Sequence, residues 1–428
     1  MTRKKINLGD IASLREQMLS TEGNKVIQKF SAMLHEKLGS KAKYVEVCQE
    51  AEANWEELTP DRLTKILALF SPYIGMQSPA HCGAHTYRDG FGALALLADP
   101  LVQHALFKAD RDAGVIAAFL HDIGTGIVPR YMDGQLAAGH AQIGAWLVYQ
   151  ILRDVLEENM LLLVCYGTDK HMHHFEDVVD DDGQTTRFAS PFSVFYHAGD
   201  EDKRKPIGLA VFLPRASDRL ENLGWIHLLR EILSRADAEE NVPGGVIRYT
   251  GEKFFAAKGE FLTNMFDTII RPEWKVQDHK KTPGTATEWV VLLFGAATLR
   301  KADYSEHDDE FVVLRHLIDG KLEQLKALKR IFDAEAPRLT SRPYATSLLK
   351  QLMRRVNGSA YMNVFGGAWG ILLRVWNKLS DNDVAKWQQV LTQMSVDLDD
   401  EFAHMLKIAQ TSDHPLSALA KEIYSLVN

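Results

Sequence analysis

A histidine and an aspartate stand side by side in the stretch AAFLHDIGTG, residues 117–126. His121 and Asp122 follow apolar residues at helical spacing, which predicts that they lie near the inner end of a buried helix. Gly124 and Gly126 then provide a stop for that helix. An imidazole and a carboxylate are costly to bury unless positive charge compensates for them. A divalent metal ion would do so, and it would need further ligands of the same kind.

More residues of these types occur on both sides of the pair. The further candidate ligands are His85, His140, the trio His171, His173 and His174, and Asp218. Imidazoles and carboxylates together suit Mn, Fe, Co, Ni or Mg, with Zn as an alternative. An ion held in this way lowers the pKa of a coordinated water and stabilises negative charge on phosphoryl oxygens. The residue types therefore predict a site for one or two divalent ions, with Asp122 as the natural bridge between two.

Each candidate also has an ordinary alternative role. His85 could simply line a loop, in which case His81, four residues earlier, would be the ligand. His140 could be a solvated histidine on the first turn of a helix, and most of the trio could lie at the surface. Asp218 could pair with a neighbouring arginine, although the long apolar segment before it argues for an inward position.

Helical patterns predict which elements carry these residues. Thr59 and Pro60 begin one helix, and further helices are expected from about 85, from about 111 to His121, and over about 137–157 and 158–170. The apolar segment 207–229 predicts two helical pieces joined near Pro214. The acidic run 177–184 predicts a solvated loop, and residues 241–255 contain the one suggestion of a small β hairpin.

Composition narrows the class of protein. The chain has 428 residues, of which 46% are apolar and 25% are charged, as in ordinary soluble globular proteins. A net charge of −8 disfavours nonspecific nucleic-acid binding over the whole surface. Cys48, Cys82 and Cys165 have no paired spacing, which favours a reducing compartment. The sequence lacks a signal-peptide pattern and a long apolar run, so we expect a cytoplasmic protein with no membrane partner.

Three segments carry a resemblance to a known family. HTYRDGFGALALLA, FLHDIG and SDRLEN together resemble the HD superfamily of metal-dependent phosphohydrolases, whose hallmark is a histidine, an adjacent His-Asp pair and a distant aspartate. The spacings here are 36 residues from His85 to His121 and 96 from Asp122 to Asp218. GHAQIGAWL resembles the extra histidine-containing helix of two-metal members, and HHFED more loosely resembles the paired-histidine segment of the HD-GYP branch. The resemblance covers roughly residues 60–240.

The resemblance implies an all-α fold and a division of the chain. An N-terminal helical segment would cover residues 1–58, an HD-type metal domain 59–240, and a helical C-terminal lobe of unknown role 241–428. His121 and Asp122 would lie at the catalytic centre. The resemblance also favours His85 over His81, because the residues after His85 match the family better.

One departure concerns the residue after HDIG, where many family members have lysine and this chain has Thr125. That lysine is usually interpreted as supporting the site or contacting phosphate. The candidates for supplying positive charge to a substrate instead are Arg88, Arg130, Lys170 and Arg219.

The function that the resemblance implies is metal-dependent hydrolysis of a phosphate ester. A nucleotide or cyclic (di)nucleotide is the expected substrate class, so the expected partner is a phosphorylated small molecule; a homo-oligomer is compatible with the sequence. One alternative is a nuclease that cleaves a nucleic-acid phosphodiester, since SPAHCGAHTYRDGFGALALLA has a faint likeness to HD-type relaxases of conjugative elements. The other alternative is a non-catalytic binding or signalling module.

Overall fold

The structure is a computed structural model that describes most of the chain in separate ranges. These are residues 11–74, 81–128, 138–171, 206–221, 224–230, 311–335, 337–358 and 366–427, with the strands at 175–179, 185–189 and 195–196. Among the interpretable residues 81% are helical, which confirms the predicted all-α class. The hairpin suggested at 241–255 lies outside the described residues.

Nine α-helices lie before residue 171 in the described part of the chain. They are α1 (Ile11–Leu19), α2 (Thr21–Leu38), α3 (Lys41–Asn54), α4 (Pro60–Ile74), α5 (Gly83–Leu96), α6 (Pro100–Gln103), α7 (Lys108–Leu120), α8 (His140–Leu152) and α9 (Glu158–Lys170). A 3₁₀ turn, Ile123–Gly126, follows α7. This early end of the helix agrees with the stop predicted from the two glycines.

The later helices begin with the one that carries Asp218. They are α10 (Leu209–Glu221), α11 (224–230), α12 (Val312–Asp333), α13 (Arg342–Asn357), α14 (Gly366–Lys378), α15 (Asp381–Ala409) and α16 (Ser417–Val427). No helix among the described residues is both long enough and apolar enough to cross a bilayer.

Two short antiparallel strand pairs accompany the helices. β1 (Phe175–Val179) pairs with β2 (Thr185–Ala189), and β3 (Phe195–Tyr196) pairs with β4 (Pro206–Ile207). The acidic run 177–184 was expected to be a loop, but its first three residues belong to β1. Valines at 178 and 179 favour an extended backbone, and the cross-strand hydrogen bonds continue it.

Helix α7 lies at the centre of the main hydrophobic core. Its residues from Ala109 to Leu120 are all buried, as expected for a helix that is packed on every side. Gly114 allows α10 to approach closely, because a Cβ atom there would lie 2.3 Å from the carbonyl oxygen of Leu209. This close approach brings the helix with Asp218 against α7, which ends directly before His121.

The expected break at Pro214 is not found. Pro214 lies inside the single helix α10, and the second helical piece begins only at Gly224, where φ is +68°. A proline inside a helix costs roughly 3 kcal/mol. Burial of Phe212, Leu213 and Ala216 against the core offsets that cost. The prediction failed because helix-breaking propensity is a local property, whereas this burial is tertiary.

A second hydrophobic core lies in the C-terminal part of the chain. It joins α11 to α12, α13, α14 and α15 and contains the buried indoles of Trp225, Trp376 and Trp387. The Nε1–H group of Trp225 donates to Asp397 on α15, at 2.5 Å. The N-terminal helices α1 to α3 instead contribute to the main core.

Candidate metal centre

Five helices bring their ends or inner faces to one buried cluster. His85 and Asp89 lie one turn apart on α5, and His121 and Asp122 directly follow the last residue of α7. His140 is the first residue of α8, His171 directly follows α9, and Asp218 lies on α10. All seven side chains are at most 2% exposed. His81, which precedes α5, is also buried beside them.

Four of these residues form what we term the primary set: His85, Asp89, His121 and Asp218. One ligand atom from each lies within 4.8 Å of the other three. The Oδ2 atom of Asp89 is 3.1 Å from Nε2 of His85 and 3.0 Å from Nε2 of His121. Nε2 of His85 is also 3.7 Å from Oδ1 of Asp218. This buried set of imidazoles and carboxylates could hold a metal ion.

Asp122 faces two groups of imidazoles with its two oxygens. Its Oδ2 atom lies 3.1 Å from Nε2 of His85 and 3.4 Å from Nε2 of His121. Its Oδ1 atom lies 3.2 Å from Nε2 of His140 and 3.3 Å from Nε2 of His171. Asp122 is thus positioned between the primary set and what we term the secondary set, which consists of Oδ1 of Asp122 with His140 and His171.

Backbone carbonyls determine which ring nitrogens carry protons. Nδ1 of His121 lies 2.8 Å from the carbonyl oxygen of Ala118, and Nδ1 of His171 lies 2.7 Å from that of Thr168. A carbonyl only accepts, so both Nδ1 atoms are protonated and donate. In the neutral rings the Nε2 lone pairs of His121 and His171 therefore point into the cluster, as in histidines that bind metals.

Burial and charge shift the pKa values of the cluster in opposite directions. Burial alone would lower the pKa of His121, but Asp122 and Asp89 raise it well above the usual value. Burial lowers the pKa of His171 to about 4, so this ring is neutral at pH 7. Burial raises the pKa of Asp89, whereas neighbouring histidines hold the pKa of Asp122 well below its usual range despite burial.

The first turn of α8 is held beside Asp122 by contacts from distant parts of the chain. Asn24 of α2 accepts a hydrogen bond from the backbone N–H of Ala138, at 3.0 Å. Gly124 permits close approach of the 3₁₀ turn, since a Cβ atom there would lie 2.0 Å from the carbonyl oxygen of His140. Thr125 donates its hydroxyl to the carbonyl of Asp122 at 2.8 Å, so it closes the turn instead of supplying a positive charge.

Of the four basic residues predicted to bind substrate, the structure describes the side chains of two, Arg88 and Lys170. Arg88 donates to Glu221 at 2.8 Å and to the carbonyl of Val356 at 2.8 Å. Lys170 lies 3.3 Å from Asp169 and over the ring of Tyr166. These partners all lie outside the seven-residue cluster. Arg130, His173 and His174 lie outside the described residues, as does the side chain of Arg219.

Two acidic residues of the site were missed by sequence reasoning. Asp89 follows His85 by four residues and Glu221 follows Asp218 by three, so each lies on the same helix face as a predicted ligand. That spacing is the signal that could have found them. Glu221 lies 3.6 Å from Nδ1 of His85, and Arg88 holds its pKa below the usual value despite burial.

A separate cavity lies behind the centre, between α5 and α10 on one side and α12 and α15 on the other. Its volume is about 490 Å³, and its lining includes Arg88, Ser217, Glu221, Lys321 and His404. None of the seven residues of the cluster lines it. Glu221 lines this cavity and also lies 3.6 Å from Nδ1 of His85, so the cavity adjoins the cluster.

Comparison with known proteins provides no relative for this chain. No family model, no curated protein and no solved structure matches it. Membership of the HD superfamily therefore stays a prediction from the motifs, and the geometry of the cluster is the basis for functional inference.

Proposed function

We propose that this protein is a metal-dependent phosphohydrolase that cleaves a phosphate ester, with a nucleotide or cyclic (di)nucleotide as the substrate class. The observation that carries the proposal is the position of Asp122 between two groups of imidazole nitrogens. A single carboxylate with imidazoles at both oxygens is the arrangement expected of a bridge between two metal ions.

The orientation of the His171 ring supports a cation at this site. Its Nδ1–H group donates to a backbone carbonyl, and burial keeps the ring neutral at pH 7. Its Nε2 lone pair therefore lies 3.3 Å from the Oδ1 atom of Asp122, which is also electron-rich. Two such atoms repel each other unless a proton or a metal cation lies between them. A divalent ion would supply this charge, lower the pKa of a coordinated water and stabilise charge on a phosphoryl oxygen.

The chain's own residues would hold the ligand side chains in the orientation that metal binding needs. Carbonyls of Ala118 and Thr168 hold the rings of His121 and His171 in fixed orientations. The dense packing of the cluster keeps the ligand atoms close to their binding geometry before an ion arrives, which reduces the cost of binding.

A metal and activity screen of the full chain tests this proposal. Protein purified without chelator would be analysed for metal content and assayed with added Mn²⁺ on mononucleotides, cyclic nucleotides, cyclic dinucleotides and single-stranded DNA. We expect divalent metal in the protein and phosphate-ester cleavage that EDTA removes and Mn²⁺ restores.

The same screen separates the alternatives. Metal-replete protein that is inactive on every substrate would contradict the phosphohydrolase and favour a binding module. Internal cleavage of DNA as the sole activity would favour the nuclease. A matched control is Asp99→Asn, which changes a buried carboxylate outside the cluster that accepts from the backbone N–H groups of Leu101 and Val313; it should retain metal and activity.

A further inference from the structure

The primary set contains a carboxylate, Asp89, that is not part of the HD pattern. Asp89 is fully buried, and within the part of the chain that the structure describes neither of its carboxylate oxygens accepts a hydrogen bond from a backbone N–H or hydroxyl group. Its Oδ2 atom nevertheless lies 3.0 Å from Nε2 of His121 and 3.1 Å from Nε2 of His85. A buried carboxylate in this state is unfavourable unless a cation compensates for it.

The distances around Asp89 suit the coordination sphere of one ion. Ligand atoms about 2.1 Å from an octahedral ion are separated by about 3.0 Å when adjacent. The two separations between Asp89 and the imidazoles, 3.0 and 3.1 Å, match that value, as does the 3.1 Å between His85 and Oδ2 of Asp122. A set of imidazoles with three carboxylates can therefore surround a single ion.

We propose that Asp89 is a metal ligand and that the two sets differ in kind: the primary set binds a first divalent ion tightly, and the secondary set binds a second ion weakly and leaves positions for a phosphate group. This inference rests on the proposed function and deepens it. It assigns the substrate's anionic group to the side of the centre near His140 and His171.

Charge is the physical reason for the difference. An ion at the primary set would have Asp89 and Asp218 beside it and one oxygen of Asp122 nearby, whereas the secondary set offers only the other oxygen of Asp122 with the imidazoles of His140 and His171. Affinity for a hard divalent cation rises with the number of charged ligands. An ion in the secondary set keeps more net positive charge and fewer protein ligands, and both properties favour a phosphate oxygen there.

Titration of the stripped full chain with Mn²⁺ tests the inference. After EDTA treatment and desalting, equilibrium dialysis with metal analysis should give two classes of ions, the first at least about tenfold tighter than the second. Asp89→Asn should weaken the first class at least about tenfold and leave the second class measurable, whereas Asp89→Glu, which retains the charge, should weaken it less. Inorganic phosphate should tighten the second class only.

Controls separate a ligand role from a structural one. Circular dichroism should show native helix content in both Asp89 variants, and Asp99→Asn should bind both ions as the wild type does. Unchanged first-class affinity in Asp89→Asn, or two classes of equal affinity in the wild type, would overturn this inference while the proposed function stands. Wild-type protein that binds no divalent ion would overturn both.

Discussion

The Oδ1 atom of Asp122 lies 3.2 Å from Nε2 of His140, although the two residues are separated by a turn and by the residues before α8. The other oxygen of the same carboxylate faces His85 and His121. Asp122 is therefore the residue on which both halves of the centre depend, and its replacement should affect both.

Asp122→Ala should abolish binding of both ions and lower any turnover at least about 100-fold, because it removes the oxygen that faces His85 and His121 together with the oxygen that faces His140 and His171. Metal analysis of the purified variant and the phosphate-ester assay measure these effects. Full metal occupancy in Asp122→Ala would contradict the bridging position.

His140→Ala should lose about one ion per chain and most activity, because it removes a ring from the secondary set and leaves the primary set complete. Metal content per chain is the measurement. His104→Ala, which changes an exposed histidine on the surface, is the matched control and should change neither quantity. Unchanged metal content in both variants would show that His140 is not a ligand.

Gly124→Ala should destabilise the protein by about 1–3 kcal/mol, because the added Cβ would lie 2.0 Å from the carbonyl oxygen of His140 and must push α8 away. The same displacement should weaken the second ion more than the first. Chemical denaturation and Mn²⁺ titration measure the two effects.

Gly320→Ala provides the comparison for that variant. Gly320 lies in α12, and an added Cβ there meets no atom of the described residues within 4 Å. This change should leave stability equal or raise it by up to about 1 kcal/mol, since alanine favours helix. Equal effects of the two alanines would mean that the close approach at Gly124 has no energetic importance.

Asp112→Asn should lower the free energy of unfolding by about 1–3 kcal/mol at pH 7. The carboxylate of Asp112 accepts from Trp55 at 2.8 Å, from the backbone N–H of Leu58 at 2.8 Å, and contacts Nε2 of His414 at 2.9 Å. Asn at this position keeps one acceptor oxygen but loses the charge.

The effect of Asp112 should depend on pH in a definite direction. Burial alone would raise the pKa of Asp112, but His414 and further hydrogen bonds lower it below the usual value. A lowered folded-state pKa stabilises the protein above the unfolded-state value of about 3.9 and ceases to do so as the pH falls through the folded-state pKa. The difference between wild type and Asp112→Asn should therefore shrink below pH of about 4. A constant difference from pH 7 to pH 3 would contradict this.

Local sequence patterns were sufficient to predict the helices around the site and to select most residues of the cluster as candidates. Apolar spacing before His121 indicates a buried helix, the two glycines after it indicate its end, and α8 begins at His140, on the predicted first turn. Such features depend on neighbours within a few residues, and the sequence contains those directly. The same patterns were misleading at Pro214, where burial against α7 and α9 maintains the helix.

Only the tertiary structure decided which carboxylates join the cluster and which imidazoles each of them faces. Asp89 has the same helical spacing from His85 as many ordinary surface pairs, and its burial against His121 depends on how α5 packs on α7. Whether one carboxylate faces two sets of rings depends in the same way on the close approach of Gly124 to α8. Contacts between residues far apart in the chain depend on how complete helices pack, and no local sequence pattern encodes the distance between two helices.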